Sequence, residues 1–126
     1  MRPTIVLISA VGTHKELVDR LRHAGTYSNG EFFDRLERGT CSFGIDLSGD
    51  VVAEFEEDEI TQVSREPGEF GVILIEYPGM PCLRQLLLEV LQGFDGLLDT
   101  NYGDLIRYDR VLERLRRDPS WDWASQ

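Results

Sequence analysis

Gly71-Val72-Ile73-Leu74-Ile75-Glu76-Tyr77-Pro78-Gly79, followed by Met80 to Gln92 and then Gly93, is the stretch whose reading decides the fold. Its first part is a continuous apolar run of strand length, rich in β-branched residues, which is how a strand buried on both faces reads. Pro78-Gly79 breaks the run. Beyond the break, Leu83, Leu86, Leu87, Val90 and Leu91 fall on one helical stripe, and Gly93 stands where a helix C-terminal glycine belongs. The spacing predicts a central strand feeding a core helix.

Upstream, Thr4 to Ser9 reads as a second buried strand carrying Ile5, Val6, Leu7 and Ile8, ended by Val11-Gly12. Thr13-His14-Lys15-Glu16 matches a capping box, with Leu17, Val18, Leu21 and Ala24 at helical spacing and Gly25 as terminator. Ser28-Asn29-Gly30-Glu31 matches a second capping box. Phe32, Phe33 and Leu36 then form a short apolar face closed by Gly39, which predicts a short helix. From Thr40 the period changes to two. Cys41, Phe43, Ile45 and Leu47 alternate with polar or small residues, Ser48-Gly49-Asp50 is turn chemistry, and Val51, Ala53 and Phe55 alternate again, a hairpin with one wet face. Ile60 to Ser64 reads either as a further short strand or as an irregular edge.

Downstream of Gly93, Gly96 to Asp99 and Asp104 to Tyr108 read as two short strands around the turn Thr100-Asn101-Tyr102-Gly103. Val111, Leu112 and Leu115 mark a last helix that stops at Asp118-Pro119, and Trp121 and Trp123 either cap the core or lie exposed. The order is β-α-(α)-β-β-(β)-β-α-β-β-α. Strands in runs favour one α+β domain over residues 1–126, with a mainly antiparallel sheet of about five to six strands packed against two to four helices, over a doubly wound parallel fold.

The 126 residues and 41% hydrophobic content suffice for one real core. A net charge of −10 sets the chain against nucleic acid and anionic membranes as partners, because its own field repels phosphate; it permits a basic protein partner. The N-terminal apolar run, Ile5 to Ala10, is too short for a signal peptide or a membrane span, so a cytoplasmic location is expected. Two cysteines, Cys41 and Cys82, lie in predicted buried elements without further ligands nearby, and read as core thiols in a reducing compartment, a single disulfide between them being the alternative.

Motifs for chemistry are absent. Neither a P-loop nor a dinucleotide fingerprint occurs. His14 and His23 are nine residues apart in one helical segment, about 900° of rotation, and so point to opposite faces; no metal or cofactor is expected. His14 reads as solvated in the first turn, and His23 as meeting the helix C-terminal carbonyls. Ser9, Ser42, Cys41 and Cys82 carry no local nucleophile signature, so no catalytic residue is assigned.

Charge is unevenly spread. From Asp46 to Glu69 nine acidic residues face one basic residue, Arg65. Glu54, Glu56, Glu57, Asp58 and Glu59 form its densest part. A glycosidase-type pair needs one carboxyl in an apolar setting, and these neighbours are other acids. The cluster reads either as a polar hairpin face or as an anionic patch that meets a basic protein surface. Arg107, Arg110, Arg114 and Arg117 recur at i, i+3, i+7 and i+10 on the last helix, and read as a solvated face or as a counterpart to the acidic region.

Asp99-Thr100-Asn101-Tyr102-Gly103-Asp104-Leu105-Ile106, a short helix, and Asp118-Pro119-Ser120-Trp121-Asp122-Trp123 together resemble the C-terminus of small bacterial immunity proteins encoded beside polymorphic or contact-dependent toxins. The resemblance covers the last quarter of the chain. It implies a cytoplasmic, non-enzymatic protein that binds one cognate toxin domain and blocks its active site or substrate channel. For a nuclease toxin with a basic cleft, the acidic residues Glu54, Glu56, Glu57, Asp58 and Glu59 would supply the contact surface and a steered on-rate. The alternative is a small-ligand-binding domain or small enzyme with an unrecognised pocket. Self-association through Trp121 or Trp123 is a third reading.

Overall fold

The computed structural model describes residues 2–48 and 70–123. In chain order these form β1 (Thr4–Ala10), α1 (Val11–Arg22), β2 (Thr26–Ser28), β3 (Asp34–Arg38), β4 (Cys41–Asp46), β5 (Phe70–Glu76), α2 (Met80–Val90), β6 (Leu97–Asp99), β7 (Leu105–Arg107) and α3 (Tyr108–Arg117). The seven strands make one sheet in the order β2-β3-β4-β5-β1-β6-β7, and every neighbouring pair is antiparallel. The fold is α+β, as the pattern of the sequence predicts.

The two apolar runs occupy the middle of the sheet, β1 against β5 from Thr4↔Glu76 to Ala10↔Phe70. Alternation along these strands divides their side chains between two faces. Ile5, Leu7, Ile73 and Ile75 face the helices, joined by Leu36, Phe43, Ile45 and Leu98 from the flanking strands. Leu17 and Leu21 of α1, Leu83, Leu86, Leu87 and Val90 of α2, and Val111, Leu112 and Leu115 of α3 complete this core. Val6, Ile8 and Val72 form a second buried cluster on the opposite face, with Phe70, Leu74, Leu97 and Leu105 packed against it. A strand apolar on both faces is what produced the unbroken runs in the sequence.

Two buried hydroxyls of the core are paired, while the buried Nε1 of Trp121 has no partner. The Tyr108 hydroxyl donates to the Ile8 carbonyl (3.0 Å) and lies 3.2 Å from Ser9 Oγ. Trp123 Nε1 donates to the Tyr77 hydroxyl at 3.1 Å. Both tryptophans are buried and cap the core; their rings meet edge to face with centroids 5.3 Å apart.

Three local expectations are corrected. The N-cap of α1 is Ala10, not Thr13, and it makes no side-chain capping bond, so the Thr13–Glu16 box is not used. The chain passes directly from β1 into the helix, and the burial of Leu17 and Leu21 fixes its phase. The helix expected over Phe32 to Leu36 is instead the end of a loop and, from Asp34, the first part of β3. Leu36 is buried there and pairs with Phe43 and Tyr27, while Phe32 is 82% exposed. One inward hydrophobe between polar neighbours suits a strand once β4 lies beside it. Gly39, expected as a helix terminator, sits with φ 60° in the two-residue turn between Arg38 and Cys41. Of the hairpin expected from Cys41 to Glu56, β4 is present; the second strand falls outside the described residues.

The cysteines are corrected as well. Cys41 opens β4, Cys82 lies in the first turn of α2, and the two are joined in a disulfide. Their Cα atoms are 5.7 Å apart, a bridging separation reached only because α2 packs over the start of β4. That juxtaposition is tertiary and has no signal in the spacing of 41 residues. No helix among the described residues is long and apolar enough to cross a membrane.

Candidate partner-binding surface

The five acidic residues expected to form the contact surface, Glu54, Glu56, Glu57, Asp58 and Glu59, lie outside the described residues. Within the described residues, the conspicuous surface feature is a set of large exposed aromatics: Phe32 (82%), Phe33 (40%) and Tyr102 (53%).

Short-range hydrogen bonds hold each of them outward. In the loop between β2 and β3, Asp34 accepts from the Gly30 amide (3.2 Å) through Oδ1 and from the Tyr27 hydroxyl (2.6 Å) through Oδ2. Gly30 meets the Phe33 carbonyl so closely that no side chain fits there. Burial, and next Asp34 beside it, pushes the Tyr27 phenol well above its ordinary value, so it remains a donor to the carboxylate. The turn from Asp99 to Asp104 is fixed in the same way. Asp99 Oδ1 accepts from the Asn101 amide (2.8 Å), Thr100 Oγ1 accepts from the Tyr102 amide (3.1 Å), and the Thr100 amide donates to the Asp104 carbonyl (3.1 Å). Asn101, at φ 65°, donates from Nδ2 to both the carbonyl and the hydroxyl of Thr4. Such side-chain-to-backbone bonds pin loops that would otherwise have to be ordered on binding, at a cost in conformational entropy.

Strand register puts both loops along one row. Phe33 Cβ approaches Gly44 on the face of the sheet opposite α1, α2 and α3; Gly44 is opposite Glu76, Glu76 is opposite Thr4, and Thr4 holds Asn101. With strands about 4.8 Å apart, the row from β4 to β6 is about 14 Å long. It carries Glu76 near its centre, Phe33 at one end and Asn101 at the other; Tyr102, the residue after Asn101, lies near the Tyr77 phenol of the helix-side core. Rigidly held exposed aromatics are the kind of residue that anchors protein partners.

Two open concave features lie among the described residues. One open groove of about 200 Å³ runs along α3, lined by Ile106, Arg110, Glu113, Arg114, Arg117 and Trp121. A broader open depression of about 620 Å³ lies between α1 and Phe94. There Arg20 is spent on the Val90 and Gln92 carbonyls and on stacking 3.9 Å over Phe94. His23 Nδ1 lies 2.8 Å from the Asp19 carbonyl, the helix-end contact anticipated for it. His14, expected to be solvated, is instead packed over Gly71 with Nδ1 buried and unpaired, and burial lowers its pKa. Among the described residues no group of three or more His, Cys, Asp or Glu is placed to hold a metal ion.

Sequence reasoning missed the exposed aromatics. Helical spacing puts Phe32 and Phe33 on a helix face and Tyr102 in a turn, and neither reading predicts that all three are exposed. The available signal was Asp34-Arg35-Leu36-Glu37-Arg38, whose single hydrophobe is too few for a helix stripe. The chain matches no protein-family model, no curated protein and no solved structure.

Proposed function

We propose that this protein is an inhibitory binding protein of the immunity type, which captures one cognate bacterial toxin domain and blocks its active site or substrate channel. In this reading the chain performs no chemistry of its own. The observation that carries the reading is the exposure of Phe32, Phe33 and Tyr102 on hydrogen-bonded loops, on a chain of net charge −10. Phe32, Phe33 and Tyr102 supply apolar anchors, Glu76 supplies an anion, and Glu54, Glu56, Glu57, Asp58 and Glu59 supply further charge complementary to a basic toxin surface. The alternative, a small-ligand-binding domain or small enzyme, calls for a deep apolar pocket with convergent polar groups, whereas the grooves among the described residues are open.

A toxin inhibited where it is made places the protein in the cytoplasm. The Cys41–Cys82 disulfide favours an oxidising compartment instead, so the site of action is itself part of the test. The tagged protein is retained on resin and challenged with host lysate at low and then moderate salt, followed by mass spectrometry. One stoichiometric partner, the C-terminal domain of a large secreted protein encoded next door, is the expected result. Reversing the charge of Glu54, Glu56, Glu57, Asp58 and Glu59 then slows association, most at low salt. Absence of any partner from cells expressing the neighbouring genes refutes the immunity role; normal binding by the charge-reversed protein refutes only the acidic contact.

A further inference from the structure

The chain carries two asparagines, Asn29 and Asn101, and the fold treats them in opposite ways. Asn101 donates from Nδ2 to the carbonyl (3.0 Å) and to the hydroxyl (2.8 Å) of Thr4, and the bulky Tyr102 follows it. Asn29 is exposed in the loop between β2 and β3, and its side-chain amide has no hydrogen-bond partner among the described residues. Gly30 follows it.

An asparagine amide can be displaced by its own backbone. The nitrogen of the next residue attacks the side-chain Cγ, the Cγ–Nδ2 bond breaks, and a five-membered succinimide forms. The hydrogen of the attacking nitrogen leaves with the amide as ammonia, so this step needs no co-reactant. Water then opens the ring at one carbonyl or the other, giving aspartate or isoaspartate. A side chain on the following residue hinders the ring, and glycine has none. The glycine is fixed at this place, because a Cβ on Gly30 would stand against the Phe33 carbonyl oxygen. The fold therefore keeps the one successor that leaves Asn29 open to attack.

The attacking nitrogen is not free, however. The Gly30 N–H donates to Asp34 Oδ1 at 3.2 Å, and Asp34 is itself held by the Tyr27 hydroxyl at 2.6 Å. Ring closure has to remove that hydrogen and turn the nitrogen toward the Asn29 side chain. The bond to Asp34 must break first, and a carboxylate beside the N–H makes its deprotonation harder.

We propose that Asn29 is a site of spontaneous covalent modification, a deamidation that Asp34 restrains through its bond to the Gly30 amide. Conversion puts a new carboxylate beside Glu31 and near Asp34, and the isoaspartyl product also lengthens the main chain by one methylene just ahead of Gly30. Like-charge repulsion and the altered backbone both work against the Gly30–Asp34 bond, which fixes the loop carrying Phe32 and Phe33. The change is irreversible, so the loop ages in one direction. This inference does not depend on the immunity reading.

The test incubates the whole chain at physiological temperature and neutral pH and samples it over weeks. Peptide mapping by mass spectrometry assigns each change to its residue, ammonia loss marking the succinimide and exchange of amide for carboxyl marking the products. Asn29 is expected to convert at least about tenfold faster than Asn101. Asp34→Ala removes the acceptor and speeds conversion of Asn29 about tenfold, the factor carried by one hydrogen bond to a charged group, while Asn101 is unchanged. Thermal melts confirm that this variant is folded, and the wild type unfolded in urea gives the unrestrained rate without any substitution. In the converted fraction, separated by its added charge, the Gly30 amide exchanges with solvent faster than in the parent. An Asn29 that keeps its amide as long as Asn101 does overturns the site. Conversion no faster in Asp34→Ala and in urea than in the folded wild type overturns the restraint.

Discussion

Reduction of the Cys41–Cys82 bond tests the link between the sheet and α2, and its magnitude follows from the chain. The two residues are 41 apart, so the bridge closes a long loop in the unfolded ensemble. The loop-closure relation for that length gives about 4 kcal/mol of stabilisation lost on reduction. A 126-residue domain unfolds with an entropy near 0.26 kcal/mol/K, so the melting temperature falls by about 15 °C. Calorimetry with and without a phosphine reductant measures this directly, beside a Cys41→Ala/Cys82→Ala variant that melts low in both buffers and no longer responds to reductant. A denatured, unreduced sample titrates with no free thiol. A wild-type melting point that moves by less than about 2 °C on reduction, together with two titratable thiols, would refute the bridge and restore the reading of two core thiols.

Phe32→Ala leaves stability within about 0.5 kcal/mol, because the ring is 82% exposed, yet weakens capture of the partner by about 2 kcal/mol, near 30-fold, which urea melts and surface-plasmon titration read separately. Gly71→Ala places a methyl 2.6 Å from His14 Nδ1 and costs about 1–3 kcal/mol, part of which His14→Ala restores when the two are combined in a double-mutant cycle. Burial holds the folded pKa of His14 below the ordinary 6.5, so the unfolded chain takes up the proton first as pH falls. The His14 contribution is therefore complete above about pH 6.5 and is lost as pH drops from there toward the lowered folded value; stability measured from pH 7 to pH 5 falls less steeply in His14→Ala than in the wild type.

The parts of the fold legible in the sequence are those where one element buries itself. Ile5 to Ile8 and Val72 to Ile75 are apolar on both faces, and Leu83 to Val90 repeats at helical spacing whatever lies beside it. What was not legible depends on neighbours. Leu36 forms a strand because β4 offers a partner through Arg38↔Cys41 and Leu36↔Phe43, and nothing within residues 31–38 states that. Thr13 and Glu16 have the right types for a capping box, but the helix follows directly on β1 and starts three residues earlier, with Ala10 as N-cap. His14 looked solvated because helix position alone cannot show that Gly71 of β5 leaves a space for its ring. The row across the sheet is hardest of all, since Phe33, Gly44, Glu76, Thr4 and Asn101 come from five separate stretches and meet only through register.

The same geometry separates the question of compartment from that of binding. The disulfide anchors the end of β4 at Cys41, beside the Gly39 turn, whereas Phe33 meets β4 near Gly44, toward its other end. Asp34, Tyr27, Asn101 and Thr4 fix the two aromatic loops by hydrogen bonds in which neither cysteine takes part. Reduction therefore lowers the melting point without unmaking the surface, provided binding is measured well below the reduced melting temperature. A reduced protein that binds the partner as tightly as the oxidised one is compatible with action in a reducing cytoplasm, where the bridge would be open. Binding lost on reduction, with the fold still intact by circular dichroism, would refute the independence of the two ends and place the active form in an oxidising compartment.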